Sequence, residues 1–119
     1  MEQSYLKERT KRFALDIIRL VESIPKGRIA DAIGRQLLDA GTSVGANYRA
    51  ASRARSQADF ISKMGIVEEE ADETIYWMEL LIESGVIRKD DVSHLLEEAN
   101  QILAMTVSSI KTAKSRKRK

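Results

Sequence analysis

Gly41-Thr42-Ser43-Val44-Gly45 matches the G-x-S-x-G pattern that lifts a serine nucleophile onto a sharp turn. Such a serine needs a strand before it, a helix after it, and Asp and His downstream on a large α/β sheet. Here residues 33–40 carry a helical pattern, and 119 residues are too few for that sheet. His94 is the only histidine; with Asp91 and the glutamates near residue 70 it raises the question of a di-iron carboxylate site. That site needs two Glu-x-x-His pairs and two further inward glutamates, which one histidine cannot supply. With no cysteine there is no disulfide, no thiol nucleophile and no zinc–thiolate site, as suits a reducing interior. No nucleophile–base pair is left, so no catalytic residue, metal or cofactor is expected, and the chain reads as a non-enzyme.

Charge is the more informative chemistry. The net charge of +2 splits into +3 over residues 1–35, +2 over 36–63, −9 over 64–100 and +6 over 101–119. Glu68-Glu69-Glu70 with Asp72 and Glu73 is the densest acidic run, read as a solvated face or a docking surface for a basic partner. Glu70 and Glu73 lie closest to the apolar stripe, where one of them is expected against an arginine. Arg49, Arg53 and Arg55 cluster at a helix end, where the dipole favours cations. Lys63 adds to them, and the tail brings Lys111, Lys114, Arg116, Lys117, Arg118 and Lys119. A like-charge run beyond a folded domain is often an arm for nucleic acid, here RNA or DNA. Few aromatics interleave with these cations, so salt-dependent phosphate contact is expected rather than base stacking.

The elements that must position these groups are helices. Leu6, Thr10, Phe13, Ile17, Leu20 and Ile24 step by three and four, and Pro25 with Gly27 stops the run. Ala30, Ile33, Leu37, Ala40, Val44, Tyr48 and Ala51 form a second stripe. A third runs through Phe60, Met64, Val67, Ala71, Thr74, Met78 and Leu81, opened by a capping pair of Ser56 and Asp59 and closed by Ser84-Gly85. The fourth is Val92, Leu96, Ala99, Leu103, Thr106 and Ile110. Four amphipathic helices at about 5–24, 29–53, 57–84 and 91–112, joined by short loops, predict an all-α, antiparallel up-down four-helix bundle over residues 1–113. Residues 114–119 are expected to fray as a disordered basic tail. No stretch approaches a membrane span and no signal peptide is evident, so a cytoplasmic protein with no membrane partner is expected.

Two features ask for close contacts. Gly34, Gly41 and Gly45 fall on one side of the second helix, where each costs about 0.5–1 kcal/mol relative to alanine. Close approach of another helix, within the bundle or between subunits, would justify them. Leu15, Ile18, Ile61, Ile66, Ile75, Tyr76, Trp77, Ile82, Leu95 and Ile102 lie outside the stripes; any one of them reads as part of a wider core, but together they favour a further interface and hence self-association.

Three segments carry a family resemblance: Arg35-Gln36-Leu37-Leu38 running into Gly41 through Arg49, Ser56-Gln57-Ala58-Asp59-Phe60-Ile61-Ser62-Lys63, and Glu69 through Leu81. In order and spacing they resemble the bacterial four helix bundle protein family, which includes proteins encoded in intervening sequences of large-subunit ribosomal RNA genes. Accessory variability proteins of diversity-generating retroelements are similar. The resemblance implies a homopentameric ring and, for the retroelement branch, nucleic acid and a reverse transcriptase as partners; it implies no catalytic activity. It carries over Ser43, Asn47, Glu70, Thr74 and Trp77 as motif positions. Asn47 and Thr74 are expected to hydrogen-bond between helices, and Tyr76 and Trp77 to sit at a subunit boundary. An oligomeric nucleic-acid-binding accessory protein is the leading expectation. A protein–protein scaffold, whose acidic third helix docks a basic partner, is the alternative.

Overall fold

The computed structural model describes residues 2–117, with side chains from 5 to 116. Four helices fill it: α1 (Glu2–Ser23), α2 (Arg28–Ser52), α3 (Gln57–Glu83) and α4 (Lys89–Lys117). No strand occurs among the described residues. Connections of four or five residues force each helix antiparallel to the one before it, so the chain is an up-and-down four-helix bundle measuring 52 × 22 × 19 Å. Helices α1 to α4 pack in sequence around a square, α1 and α3 lying diagonally opposed, and the α1–α4 side is the most loosely packed.

The boundaries follow local chemistry. Pro25 ends α1. Ser56 caps α3 by accepting the Asp59 backbone N–H at 3.0 Å, while the Asp59 carboxylate accepts the Arg55 N–H at 3.3 Å. At the other end of α3, Gly85 takes φ 82°, and the N–H groups of Gly85 and Val86 close on the carbonyls of Ile82 and Leu81. Helix α4 does not stop near residue 112 as expected but runs on through Lys114, Ser115 and Arg116 to Lys117. Lysine and arginine are good helix formers and suit a helix C-terminus. The Gln57 side-chain amide also donates to the Ala113 carbonyl at 2.8 Å, tying that stretch to the start of α3. The expected tail residues Arg118 and Lys119 lie outside the described residues.

The core is built by the expected stripes, with Phe13, Ile17, Leu37, Val44, Met64, Val67, Met78 and Leu81 almost wholly buried. In α4 Val92, Ala99, Thr106 and Ile110 are buried as expected, but Ile102 is buried in place of the expected Leu103, which is half-buried. The glycine face of α2 meets α1 inside the bundle. A Cβ on Gly41 would lie 2.8 Å from both Cγ atoms of Ile17, and one on Gly45 would lie 3.2 Å from the Thr10 carbonyl oxygen. Gly34 is less crowded, its nearest neighbours being Val21 and Ile24 at 3.7 and 3.8 Å.

Candidate nucleic-acid interface

Antiparallel packing sets the C-termini of α2 and α4 at the same end of the bundle as the N-termini of α1 and α3. Residues far apart in sequence thereby converge. Arg49, Arg53 and Arg55 surround the α2–α3 turn, and Lys111, Lys114 and Arg116 occupy the last turns of α4; all six are exposed. Lys7, Lys11 and Arg12 of α1 are exposed near the same end. Across residues 5–12, 46–64 and 106–116 the only acidic side chains are Glu8 and Asp59. Two helix C-termini, each with a negative dipole end, are thus dressed in cations.

Lys63 does not add a free charge. Its ammonium lies 2.7 and 2.8 Å from the two Asp59 carboxylate oxygens. That hydrogen bond, with the Arg55 backbone N–H, holds the Asp59 carboxyl below the usual carboxylate range. Lys117 closes α4, its side chain outside the described set, as are Arg118 and Lys119.

A cleft of about 500 Å³ opens at this basic end between α1 and α4. Tyr5 and Leu6 form one wall, Ser108, Ser109, Thr112 and Arg116 the other, and Tyr48 and Phe60 lie below; no carboxylate among the described residues lines it. Tyr5 is 57% exposed, and its ring is held by Arg9: the guanidinium donates to the Tyr5 hydroxyl at 2.9 Å and lies 5.7 Å from the ring centroid. Arg9 is itself fixed by a two-pronged pair with Glu98, at 2.6 and 2.7 Å, and by a hydrogen bond to Gln101. Hydrogen bonding to Arg9 keeps the Glu98 carboxyl below its ordinary range, against the opposing effect of burial. Sequence reading missed the cleft and this pair, because 89 positions separate Arg9 from Glu98 and no local pattern links them.

The motif residues on α2 and α3 are placed differently from expectation. Asn47 donates to the Ser43 carbonyl at 2.8 Å and Thr74 to the Glu70 carbonyl at 2.7 Å, both one turn back on their own helices. Short polar side chains reach their own preceding turn more easily than a neighbouring helix. Among the described residues no arginine pairs with Glu70; burial, then Glu73, Glu69 and Asp39, push its carboxyl up. Tyr76 is 51% exposed and meets the half-buried Trp77 edge-on at 5.1 Å, with the indole N–H directed at Glu73. His94 is exposed, and among the described residues no group of three or more His, Asp or Glu side chains could hold a metal ion. No helix among them is long and apolar enough to cross a membrane.

Comparison with known proteins agrees with this architecture. A solved protein of unknown function, from the S23 ribosomal protein family of Bacteroides thetaiotaomicron, is 35% identical. The alignment covers 93% of this chain and 99% of that one, with a TM-score of 0.86. No curated protein matches. The model of the 23S rRNA-intervening sequence protein family matches residues 2–108, which is nearly the whole bundle. With family pattern and backbone in agreement over that span, the chain belongs to the 23S rRNA-intervening sequence protein family.

Proposed function

We propose that the protein is a non-enzymatic, oligomeric accessory protein that binds nucleic acid, RNA or DNA, through its phosphate backbone. The observation that carries this reading is the basic end of the bundle. There Arg49, Arg53, Arg55, Lys111, Lys114 and Arg116 are exposed together and nearly free of carboxylates. A ring would present that end once per subunit and raise avidity without any new contact. The test is fluorescence anisotropy with RNA and DNA at two salt concentrations. Affinity should fall steeply with salt, log K changing by about −0.7 to −0.9 per log unit of salt for each phosphate neutralised. Binding to neither polymer at low salt overturns the reading.

Self-association is supported by the placement of the exposed apolar side chains. Leu15 and Ile18 lie on the outer face of α1, and Ile66 and Tyr76 on that of α3, which is diagonally opposite. The α1 face is flanked by Lys11 and Arg12, with Arg19 paired to Asp16 at 3.2 Å, and the α3 face by Glu69, Asp72, Glu73 and Glu79. Two unlike faces on opposite corners favour head-to-tail contact, which closes into a ring when the rotation between subunits allows it. The same acidic stripe supports a second reading, a scaffold that docks a basic protein. None of Glu69, Asp72, Glu73 and Glu79 is in an ion pair among the described residues. A pull-down that recovers a defined basic protein and no nucleic acid would favour it.

A further inference from the structure

The cleft between α1 and α4 adds something that phosphate contact alone does not need. Resting on the nucleic-acid reading above, we propose that this cleft takes an unpaired base of a single strand, stacked on Tyr5, while Arg116 meets the adjoining phosphate. Four observations converge on it. The cleft, at about 500 Å³, is of the size that small-molecule sites occupy. The Tyr5 ring is more than half exposed, yet it is fixed in place by Arg9, which Glu98 and Gln101 hold in turn. A stacking platform that is already ordered loses little entropy when a base lands on it. The opposite wall offers the hydroxyls of Ser109 and Thr112, which can donate to or accept from a base edge or sugar. Among the described residues the lining contains Arg116 and no carboxylate, and the cleft lies at the end of the bundle that carries the exposed cations of α2 and α4.

A duplex keeps its bases stacked inside and offers nothing to such a cleft, so the site selects single strands or unpaired loops. This refines the expectation drawn from sequence. Aromatic residues do not interleave with the basic runs along the chain, but the fold brings Tyr5, Tyr48 and Phe60 to the end where those runs meet.

The test uses the full chain and dye-labelled 12-nucleotide probes: an unstructured RNA, the same sequence as DNA, and a DNA duplex of that sequence. The wild type is expected to bind at least one single strand about tenfold more tightly than the duplex at the same salt. Tyr5→Ala should weaken that binding about tenfold, within the range seen for loss of one base–aromatic stack, and leave duplex binding and the salt slope unchanged. Tyr5→Phe keeps the ring and should retain single-strand binding. Tyr5-dependent binding of RNA, DNA or both supports the proposal, and the two arms identify the sugar preferred. Salt-dependent binding that Tyr5→Ala does not alter, or equal affinity for strand and duplex, overturns the cleft proposal alone. Absence of binding to all three probes overturns the nucleic-acid reading itself.

Discussion

Gly41 and Ile17 are packed so closely that a single added methyl group has nowhere to go. A Cβ on Gly41 would stand 2.8 Å from both Cγ atoms of Ile17, a residue with no exposed surface. Those atoms sit at the branched base of the side chain and cannot swing aside as a flexible end could. Gly41→Ala should therefore destabilise the bundle by about 1–3 kcal/mol, although alanine is the better helix former. Gly65 is the control. It is also inside a helix, but a Cβ there meets nothing within 4 Å, so Gly65→Ala should stabilise by about 0.5–1 kcal/mol. Denaturant midpoints for the two variants would check both signs, and a stabilised Gly41→Ala would contradict the packing argument.

The Arg9–Glu98 pair bridges the loosest side of the bundle, α1 against α4, with side chains only 18% and 25% exposed. The folded state holds the Glu98 carboxyl below its ordinary value of 4.5, chiefly through the hydrogen bond from Arg9. Between the folded and unfolded values the unfolded chain binds more protons, so stability rises with pH there. The contribution is complete above the unfolded value and is lost as pH falls through the folded one. Glu98→Gln should cost about 1–2 kcal/mol at pH 7, and the gap to wild type should narrow as pH falls below the ordinary carboxylate value of 4.5. Thermal melts at pH 7 and pH 3 would show it, and a gap that persists unchanged at pH 3 would remove the charge argument.

Glu70 runs the other way. Burial, then Glu73, Glu69 and Asp39, raise its carboxyl in the folded state. Here the folded chain binds more protons, so the group favours folding at low pH and disfavours it as pH rises through its folded value. Glu70→Gln should stabilise the fold at pH 7 by a few tenths of a kcal/mol, typical of relieving like-charge helical neighbours, and so raise the melting temperature. The Thr74 hydroxyl bonds the Glu70 backbone and is untouched by the change. A lower melting temperature at pH 7 would indicate a partner for the carboxylate that the free chain does not provide.

Much of the fold is legible in the chain because helical stripes repeat at three and four and Pro25, Ser56 and Gly85 punctuate them. The limits are equally physical. Asn47 and Thr74 read as interhelical bridges by their place beside the stripes, yet a short polar side chain on a helix reaches the carbonyl of its own preceding turn first. Helix α4 continues past its last apolar residue on good helix formers, and the Gln57 amide, 56 positions away, bonds the Ala113 carbonyl there, a contact that no local pattern shows. The basic residues were visible as charge, but their gathering at one end, and the meeting of Tyr5 with Arg116 across a cleft, depend on antiparallel packing.

The outer faces of α1 and α3 make a prediction that separates head-to-tail assembly from other kinds. Leu15 is 45% exposed on α1, and Ile66 is 39% exposed on α3, at diagonal corners of the bundle. If α1 of one subunit meets α3 of the next, then Leu15→Asp removes only the α1 half of each contact, and Ile66→Asp only the α3 half. Each variant alone should be a monomer, since every contact in its assembly would carry the defect. Mixed in equal amounts, the two should recover one intact contact per pair and form dimers that cannot grow. A symmetric contact, with α1 on α1 or α3 on α3, would instead leave one of the two variants, the one altered on the unused face, forming homodimers unmixed. Native mass spectrometry of the wild type, the two variants and their mixture distinguishes these arrangements. A wild-type monomer at micromolar concentration, or a mixture that stays monomeric, would rule out the head-to-tail contact.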